Sequence, residues 1–241
     1  MGGVTWGTLM GGRVRYAQPA EGFRSGIEPV LLGAAVPARQ GERVLEAGSG
    51  AGAGLLCLAH RTGTGGVGVE LDPALAEIAA GNAAANGFEG LRFVAADIGQ
   101  WMCDARYDHA FANPPYHPPH LPASPDARRD RAKRAAPMLL EAWTAALARR
   151  VTEGGSVTLV LPAGQLGDVL AAYARHRLGS VVIYPLWPRE GRAAKLVLVQ
   201  GRVGGRGAPV LAAGLVLHAA GGFTAQADAV LRGAAALRLR A

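Results

Sequence analysis

Residues 42–54 read ERVLEAGSGAGAG, and this stretch decides the fold. Its first six residues form an apolar segment of strand length, and a glycine-rich turn follows. The turn runs directly into residues 55–61, whose apolar pattern is helical. A strand, a glycine turn and a helix in this order are typical of the first unit of a parallel α/β sheet.

The alternation of strands and helices continues along the chain. We predict strands at residues 65–71, 91–95, 107–112, 156–161, 180–186 and 194–201, and helices at residues 72–86, 137–151 and 166–176. Gly154-Gly155 should close the second of these helices. Seven residues separate the last two strands, which suits an antiparallel pair. The pattern predicts an α/β fold in which helices cover both faces of a mostly parallel sheet.

The two ends of the chain extend this core. We predict a single domain over residues 1–241, with residues 1–40 as an N-terminal extension and residues 204–241 as a tail packed on it. The extension should hold a strand or hairpin at residues 11–18 and a helix at residues 30–36, which Ser25 or Glu28 would cap. The tail should contribute a short strand at residues 214–218 and a helix at residues 224–231.

The overall charge is basic, with 25 Lys and Arg against 18 Asp and Glu. A net charge of +7 favours a polyanionic partner such as nucleic acid, although solubility alone is an alternative explanation. The two cysteines, Cys57 and Cys103, have the spacing of neither a disulfide framework nor a zinc site. Neither a signal peptide nor an apolar run of membrane-spanning length is evident, so we expect a soluble, cytoplasmic protein.

Acidic residues follow the first three strands. Glu46, Glu70 and Asp97 should all lie at the carboxyl edge of the sheet, where ligands of such folds bind. Glu70 is placed to accept hydrogen bonds from ribose hydroxyls, and Asp97 to accept one from an adenine amino group. Three acids suit a nucleoside that carries positive charge and no phosphate, which describes S-adenosylmethionine.

The glycine turn allows a ligand to approach the backbone closely. Gly48, Gly50 and Gly52 have no side chains in the way. A nicotinamide cofactor is an alternative ligand, because the spacing of Gly48, Gly50 and Ala53 partly fits its fingerprint. Glu46 would repel a pyrophosphate, however, and Asp97 has no role in that fingerprint.

A rigid corner follows the strand at residues 107–112. Its sequence is Asn113-Pro114-Pro115-Tyr116, in which two prolines fix two φ angles and remove two backbone donors. The Asn113 side-chain oxygen and the Pro114 carbonyl can accept both N–H bonds of a planar amine, and Tyr116 can stack on its ring. We therefore predict that the corner orients an amino group for methyl transfer, without a metal or a covalent nucleophile.

Basic residues are concentrated directly after the corner. They are Arg128, Arg129, Arg131, Lys133 and Arg134. Their position favours contacts with RNA phosphates, although a solvated helix with internal ion pairs is the alternative. Arg189, Arg192 and Lys195, at the connection between the last two core strands, are expected to extend this RNA surface, although solubility of the hairpin is an equal explanation.

The combined motifs resemble class I S-adenosylmethionine-dependent methyltransferases that act on planar amino groups. The segment from Phe23 to Glu28, the basic stretch after Tyr116 and residues 188–192 resemble one branch, the bacterial tRNA (adenine-N6)-methyltransferases, which modify an anticodon-loop adenosine of a valine tRNA. Gly26-Ile27-Glu28 departs from that branch, where Thr-Asp or similar is expected. The resemblance implies a seven-stranded sheet with an antiparallel last strand.

The resemblance also implies which residues bind and react. Asn113, Pro114, Pro115 and Tyr116 would be catalytic. S-adenosylmethionine, with S-adenosylhomocysteine as its product, would be bound by Arg24, Ser25, Gly26, Glu46, Gly48, Gly50, Gly52, Glu70, Leu71, Asp97, Ile98 and Asn113. The tRNA would be bound by the basic residues named above, and no metal ion would be needed.

Other methyltransferases share the catalytic corner. Enzymes that methylate a glutamine amide of release factors carry a helical domain before the core, but only about forty residues precede Glu46 here. Guanine-N2 rRNA methyltransferases often carry a second, degenerate domain, and DNA adenine methyltransferases usually carry a recognition domain. We expect neither domain in this sequence. An inert RNA-binding protein with this fold is the non-enzymatic alternative, and it predicts damaged motifs.

Overall fold

The computed structural model describes residues 3–21, 25–115 and 137–240. Within these ranges, a small hairpin precedes a ten-stranded sheet that carries helices on both faces. The helices are α1 (Glu28–Ala35), α2 (Ala53–Thr62), α3 (Pro73–Ala85), α4 (Pro137–Ala148), α5 (Leu166–Arg175) and α6 (Ala225–Leu231). None of these helices has both the length and the apolar character that crossing a bilayer requires.

The hairpin consists of β1 (Val4–Leu9) and β2 (Val14–Pro19), and the large sheet contains the remaining strands. These are β3 (Arg43–Ala47), β4 (Gly65–Glu70), β5 (Leu91–Ala95), β6 (Tyr107–Ala112), β7 (Val151–Pro162), β8 (Leu178–Arg189), β9 (Leu196–Val203), β10 (Val210–Leu211), β11 (Leu215–Ala219) and β12 (Gly222–Phe223). The strand order is β5-β4-β3-β6-β7-β9-β8-β11-β12, and β10 also pairs with β8. The neighbours from β3 to β7 are parallel, whereas β9 runs antiparallel to both β7 and β8.

This topology confirms the doubly covered, mostly parallel sheet and the antiparallel pair at its end. The seven expected strands run from β5 to β8 in the strand order. The described sheet is wider than seven strands because the C-terminal segment adds three. Its strands β10 and β11 pair in parallel with β8, and β12 returns antiparallel to β11.

Two apolar layers enclose the central strands. Val44 and Leu45 are both fully buried, and they point to opposite faces because side chains alternate along a strand. Val44 packs in a core with residues of α1, α2 and α6, whereas Leu45 packs with residues of α4 and α5. The strand is apolar on both faces because each face meets helices.

Residues 151–155 belong to a strand, although we predicted the end of a helix there. Helix α4 ends at Ala148, and β7 begins at Val151. Gly154 has a φ of 79°, and the pairing register of β6 with β7 shifts between Tyr107 and His109. The glycines that suggested a helix stop therefore lie in an irregularity of the strand ladder, where glycine is equally favoured.

The predicted cap of α1 is also wrong. The helix begins at Glu28 after Ile27, and no side chain hydrogen-bonds to its N-terminus within the described residues. The Ser25 hydroxyl instead lies 2.8 Å from the Tyr16 hydroxyl. Pro29 fixes a helical φ in the first turn. Because proline has no backbone N–H, one fewer donor there needs an acceptor from a cap, which accounts for a start without one.

Asn82 of α3 and Asn86, directly after its end, join the N-terminal hairpin to the rest of the fold. Asn82 Oδ1 accepts from the Ala17 N–H at 2.7 Å, and its Nδ2 donates to the Ala17 carbonyl at 2.8 Å. Asn86 makes the same pair of bonds with the backbone of Arg15, at 2.8 and 2.7 Å. Residues four apart along a helix lie on the same face, so both amides point towards β2. They bond to every second residue of β2, which is the hydrogen-bond pattern that a neighbouring strand would make.

Helices α1 and α2 cross at a contact between two glycines. A Cβ atom on Gly33 would lie 2.6 Å from the Gly54 carbonyl oxygen, which is closer than packing permits. The helices pack at this separation because position 33 carries no side chain. By contrast, Gly81 of α3 is exposed, and a Cβ there would meet no atom within 4 Å.

We expect Gly33→Ala to destabilise the protein and Gly81→Ala to stabilise it. Alanine favours a helix over glycine by roughly 1 kcal/mol at either site, but overpacking at position 33 costs about 1–3 kcal/mol. Thermal unfolding followed by circular dichroism should show a lower Tm for Gly33→Ala and a Tm raised by about 2–4 °C for Gly81→Ala. A Gly33→Ala variant as stable as Gly81→Ala would contradict the close helix contact.

Candidate active site

The predicted site features meet at the carboxyl edge of the sheet. Ala47, at the end of β3, lies opposite Val69 on one side and Ala112 on the other. Glu70 lies opposite Ala95, at the end of β5. The glycine turn, Glu70, Asp97 and the Asn113 corner therefore follow adjacent strand ends.

The glycine turn is held by the neighbouring strand. The Gly48 N–H donates to the Val69 carbonyl at 2.8 Å, and the Gly52 N–H donates to the Ser49 carbonyl at 2.8 Å. Gly48, Gly50 and Gly52 have φ angles of 64°, 55° and 89°, a region that side chains disfavour. A Cβ on Gly50 would meet no atom within 4 Å, so the backbone there borders open space.

Glu70 connects the turn to the start of the next helix. Its Oε2 accepts from the Gly50 N–H at 2.8 Å, and its Oε1 accepts from the Asp72 N–H at 3.0 Å. Asp72 caps α3 by accepting from the Ala74 N–H at 2.9 Å, as its position before Pro73 predicts. Each Glu70 oxygen retains a lone pair with which it can accept a ligand hydroxyl.

Glu46 does not open onto the edge, where we expected its carboxylate to meet a cationic ligand. The side chain is 4% exposed and turns towards α2, because alternation places it on the same face as Val44. Its Oε2 accepts from the Leu55 N–H at 2.9 Å and so satisfies a donor in the first turn of α2. Burial raises the pKa of Glu46 well above its ordinary range, and the bond from Leu55 opposes that shift only in part.

The described part of the N-terminal extension lies near this buried acid. Burial raises the pKa of Tyr16 to about 12, with a smaller contribution from Glu46. The neutral Tyr16 hydroxyl contacts Ser25, and Gly26 lies under the Glu28 carboxylate, which a Cβ at position 26 would displace. Arg24, the other predicted cofactor contact of this segment, lies outside the described residues.

Asp97 and Ile98 follow the end of β5, and Leu71 follows the end of β4. Asp97 is exposed, and its Oδ1 accepts from the Gly99 N–H at 2.8 Å, the geometry of an Asx turn. Ile98 is buried in the core, which leaves its backbone for ligand contact. Leu71, after β4, is 69% exposed and can cover a flat apolar ring.

The Asn113 corner presents a buried acceptor without a partner. Asn113 Oδ1 is buried and accepts no hydrogen bond in the part of the chain that the structure describes. Pro114 is buried and Pro115 is partly exposed, whereas Tyr116 lies outside the described residues. An unpaired buried acceptor costs about 1–3 kcal/mol, and a donor from a bound ligand would remove that cost.

Two residues that sequence reasoning missed shape the glycine turn. A Cβ on Gly48 would lie 2.6 Å from the Trp143 ring, so this tryptophan of α4 covers the first glycine. Asn82 Nδ2 donates to the Ala51 carbonyl at 3.0 Å and ties the turn to α3. An asparagine pair four residues apart in an alanine-rich helix is a signal for the second contact, whereas nothing local distinguishes Trp143.

The predicted RNA-binding residues divide into two groups. Arg189 and Arg192 are exposed at the turn between β8 and β9. The residues outside the described ranges are Arg128, Arg129, Arg131, Lys133 and Arg134. Among the described residues, no three His, Cys, Asp or Glu side chains are grouped so that they could hold a metal ion.

Comparison with known proteins places these features in a family. A family model described as a methyltransferase domain matches residues 38–138. The chain is 34% identical over 188 residues to the tRNA1(Val) (adenine(37)-N6)-methyltransferase of Dickeya chrysanthemi (strain Ech1591), an alignment that covers 76% of this chain and 74% of that protein. It is 32% identical over 203 residues to the Aeromonas salmonicida (strain A449) protein of the same name, covering 83% and 84%.

A solved structure agrees on the fold. A predicted O-methyltransferase from Agrobacterium tumefaciens is 23% identical and superposes with a TM-score of 0.73 over 88% of this chain and 99% of that one. Its likeness concerns the fold alone. The extent and identity of the two sequence matches show that the chain belongs to the tRNA1(Val) (adenine(37)-N6)-methyltransferase family.

Proposed function

We propose that the protein transfers a methyl group from S-adenosylmethionine to the exocyclic N6 amine of an adenosine in the anticodon loop of a tRNA. Membership of the family supports this activity. The observation that carries the proposal is the buried Asn113 Oδ1 at the carboxyl edge of the sheet, which has no hydrogen-bond partner among the described residues. An acceptor in this state suits a substrate that brings its own N–H donor.

The glycine turn and Glu70 fit the cofactor. Open space borders Gly50, and the Glu70 carboxylate beside it can accept from ribose hydroxyls while it holds the Gly50 N–H. Asp97 and Leu71 are exposed on the adenine side of this arrangement, and no phosphate-binding cation is required. S-adenosylmethionine, when bound, supplies an electrophilic methyl group on a sulfonium.

The corner residues orient and stabilise the reacting amine. The lone pair of an exocyclic amine is delocalised into the ring, so the amine is a poor nucleophile. Asn113 Oδ1 and the Pro114 carbonyl accept its two N–H bonds, which directs the lone pair away from the ring plane and towards the cofactor side. The same two oxygens stabilise the positive charge that develops on nitrogen until a proton leaves.

The identity of the methylated group distinguishes this function from methylation of rRNA guanine or of a release-factor glutamine. Purified protein incubated with labelled S-adenosylmethionine and, separately, total tRNA, total rRNA and a release factor should label tRNA as N6-methyladenosine. Label in N2-methylguanosine of rRNA or in a glutamine side chain would contradict the proposal. No label in any of the three would favour the inert alternative.

We expect Asn113→Ala to reduce kcat about 10²- to 10³-fold, the usual cost of losing one group that stabilises transition-state charge. Cofactor affinity, measured by calorimetry, should change little because it depends mainly on the glycine turn and Glu70. Asn113→Asp keeps an acceptor oxygen and should retain more activity than the alanine variant. Wild-type turnover by Asn113→Ala would refute the role of the corner.

We expect Glu70→Ala to weaken S-adenosylmethionine binding about 10- to 100-fold. Hydrogen bonds to a charged group contribute about 1.5–3 kcal/mol each, and the variant also releases the Gly50 N–H. Glu77→Ala removes an exposed carboxylate from α3 and serves as the matched control. Equal dissociation constants for the two variants would show that Glu70 does not bind the cofactor.

A further inference from the structure

A basic groove lies at the carboxyl edge but apart from the Asn113 corner. It has a volume of about 550 Å³ and lies between the turn that joins β8 to β9 and the end of β11. Its lining residues are Pro188, Arg189, Arg192, Ala193, Ala194, Lys195 and His218. Three of them are cations, and no carboxylate is among them.

The three cations are available to a ligand. Arg189, Arg192 and Lys195 are exposed, and none of them makes an ion pair with a described carboxylate. Glu190, in the same turn, lowers the net local charge but does not line the groove. Cations that converge on a groove without acidic partners are suited to an anion with several charges.

The walls of the groove are fixed by the neighbouring strand. β11 pairs in parallel with β8, so that His218 lies opposite Arg189. His218 Nδ1 lies 3.1 Å from the Pro188 carbonyl, and its ring stacks on Phe223 with a centroid separation of 4.9 Å. The Trp187 indole N–H donates to the Ala213 carbonyl at 2.9 Å. These bonds hold the end of β8 in place, so the groove is formed before any ligand binds.

The strand register gives the position of the groove relative to the corner. Ala112 on β6 is level with Leu159 on β7. Leu159 pairs with Val199 on β9, and Val199 pairs with Ile183 on β8, so all four residues lie at the same height in the sheet. Arg189 follows Ile183 by six residues, so the hairpin projects roughly 20 Å beyond the end of β6 at about 3.3 Å per residue. Three strand spacings add a lateral offset of roughly 14 Å.

This separation selects among ligands. A mononucleoside held at Asn113 cannot reach Arg189, whereas a polynucleotide that delivers one base to the corner can place phosphates in the groove. We propose that this groove binds backbone phosphates of the RNA that flank the modified nucleotide by several residues. The proposal rests on the proposed function, and it adds a formed groove with a wall at His218 to the three cations that the sequence singled out.

The test compares two triple variants with the same loss of charge. Arg189→Ala, Arg192→Ala and Lys195→Ala together remove the cations of the groove. Arg39→Ala, Arg177→Ala and Arg206→Ala remove three exposed cations at the opposite, amino edge of the sheet. Affinity for an unmodified tRNA1(Val) transcript is measured for each protein across a series of salt concentrations, and S-adenosylmethionine affinity reports that each variant is folded.

We expect the groove variant to bind the transcript about 10- to 50-fold more weakly at 0.15 M salt. The slope of log K against log salt should fall by about 2, since each lost phosphate contact contributes roughly 0.7 for a single strand. The control variant should stay within about threefold of the wild type, and both variants should bind the cofactor normally.

The outcomes separate the groove from the proposed function. Equal losses in the two variants would show an effect of net charge alone and overturn the groove. An unaltered salt slope in the groove variant would also overturn it. Wild-type protein that binds the transcript through the groove yet methylates no adenosine in it would contradict the proposed function and leave the RNA-binding groove intact.

Discussion

The bond between the Gly50 N–H and the Glu70 carboxylate is the constraint on which the candidate site depends. It joins the turn after β3 to the end of β4 over 2.8 Å. The turn needs this partner because Gly48 and Gly50 have positive φ angles, and glycine has the largest backbone entropy to lose on folding. An acid at position 70 therefore shapes the glycine turn before any ligand is bound. In the proposed function, its remaining lone pairs bind the ribose.

Glu46 illustrates a different use of an acid two residues before a glycine turn. It faces the helical layer and satisfies the Leu55 N–H in the first turn of α2. Because burial raises its pKa, a charged form here is costly, and the side chain is better suited to support the helix than to attract a cation. Glu46 and Glu70 end adjacent strands, but β-strand alternation directs the first inward, whereas the second stays at the edge.

The sequence alone predicted the core strands along the chain and the edge of the sheet that Glu70 and Asn113 share, because apolar periodicity and strand ends are local signals. Prediction from the sequence failed where one residue type fits two local structures. Gly154 indicated the end of a helix, but it lies in an irregularity of a strand. It could not reveal Trp143 over Gly48, since that contact joins elements about ninety residues apart. The strand at residues 214–218 was predicted, but its pairing with β8 was not, because the pattern of a short strand does not specify its neighbour in a sheet.

The C-terminal strands extend the sheet beyond its seven core strands and, in the proposed function, supply a surface for a large substrate. β8 continues well past the level at which β6 ends, and an unpaired hairpin of that length would leave its outer edge open. β11 covers that edge, and His218 fixes Pro188 at its end. The same pairing that protects the strand thus presents Arg189 and its neighbours as a fixed wall. In the proposed function, a substrate that spans from Asn113 to this wall is a polymer, and the length of β8 there contributes to selecting RNA over a free nucleoside.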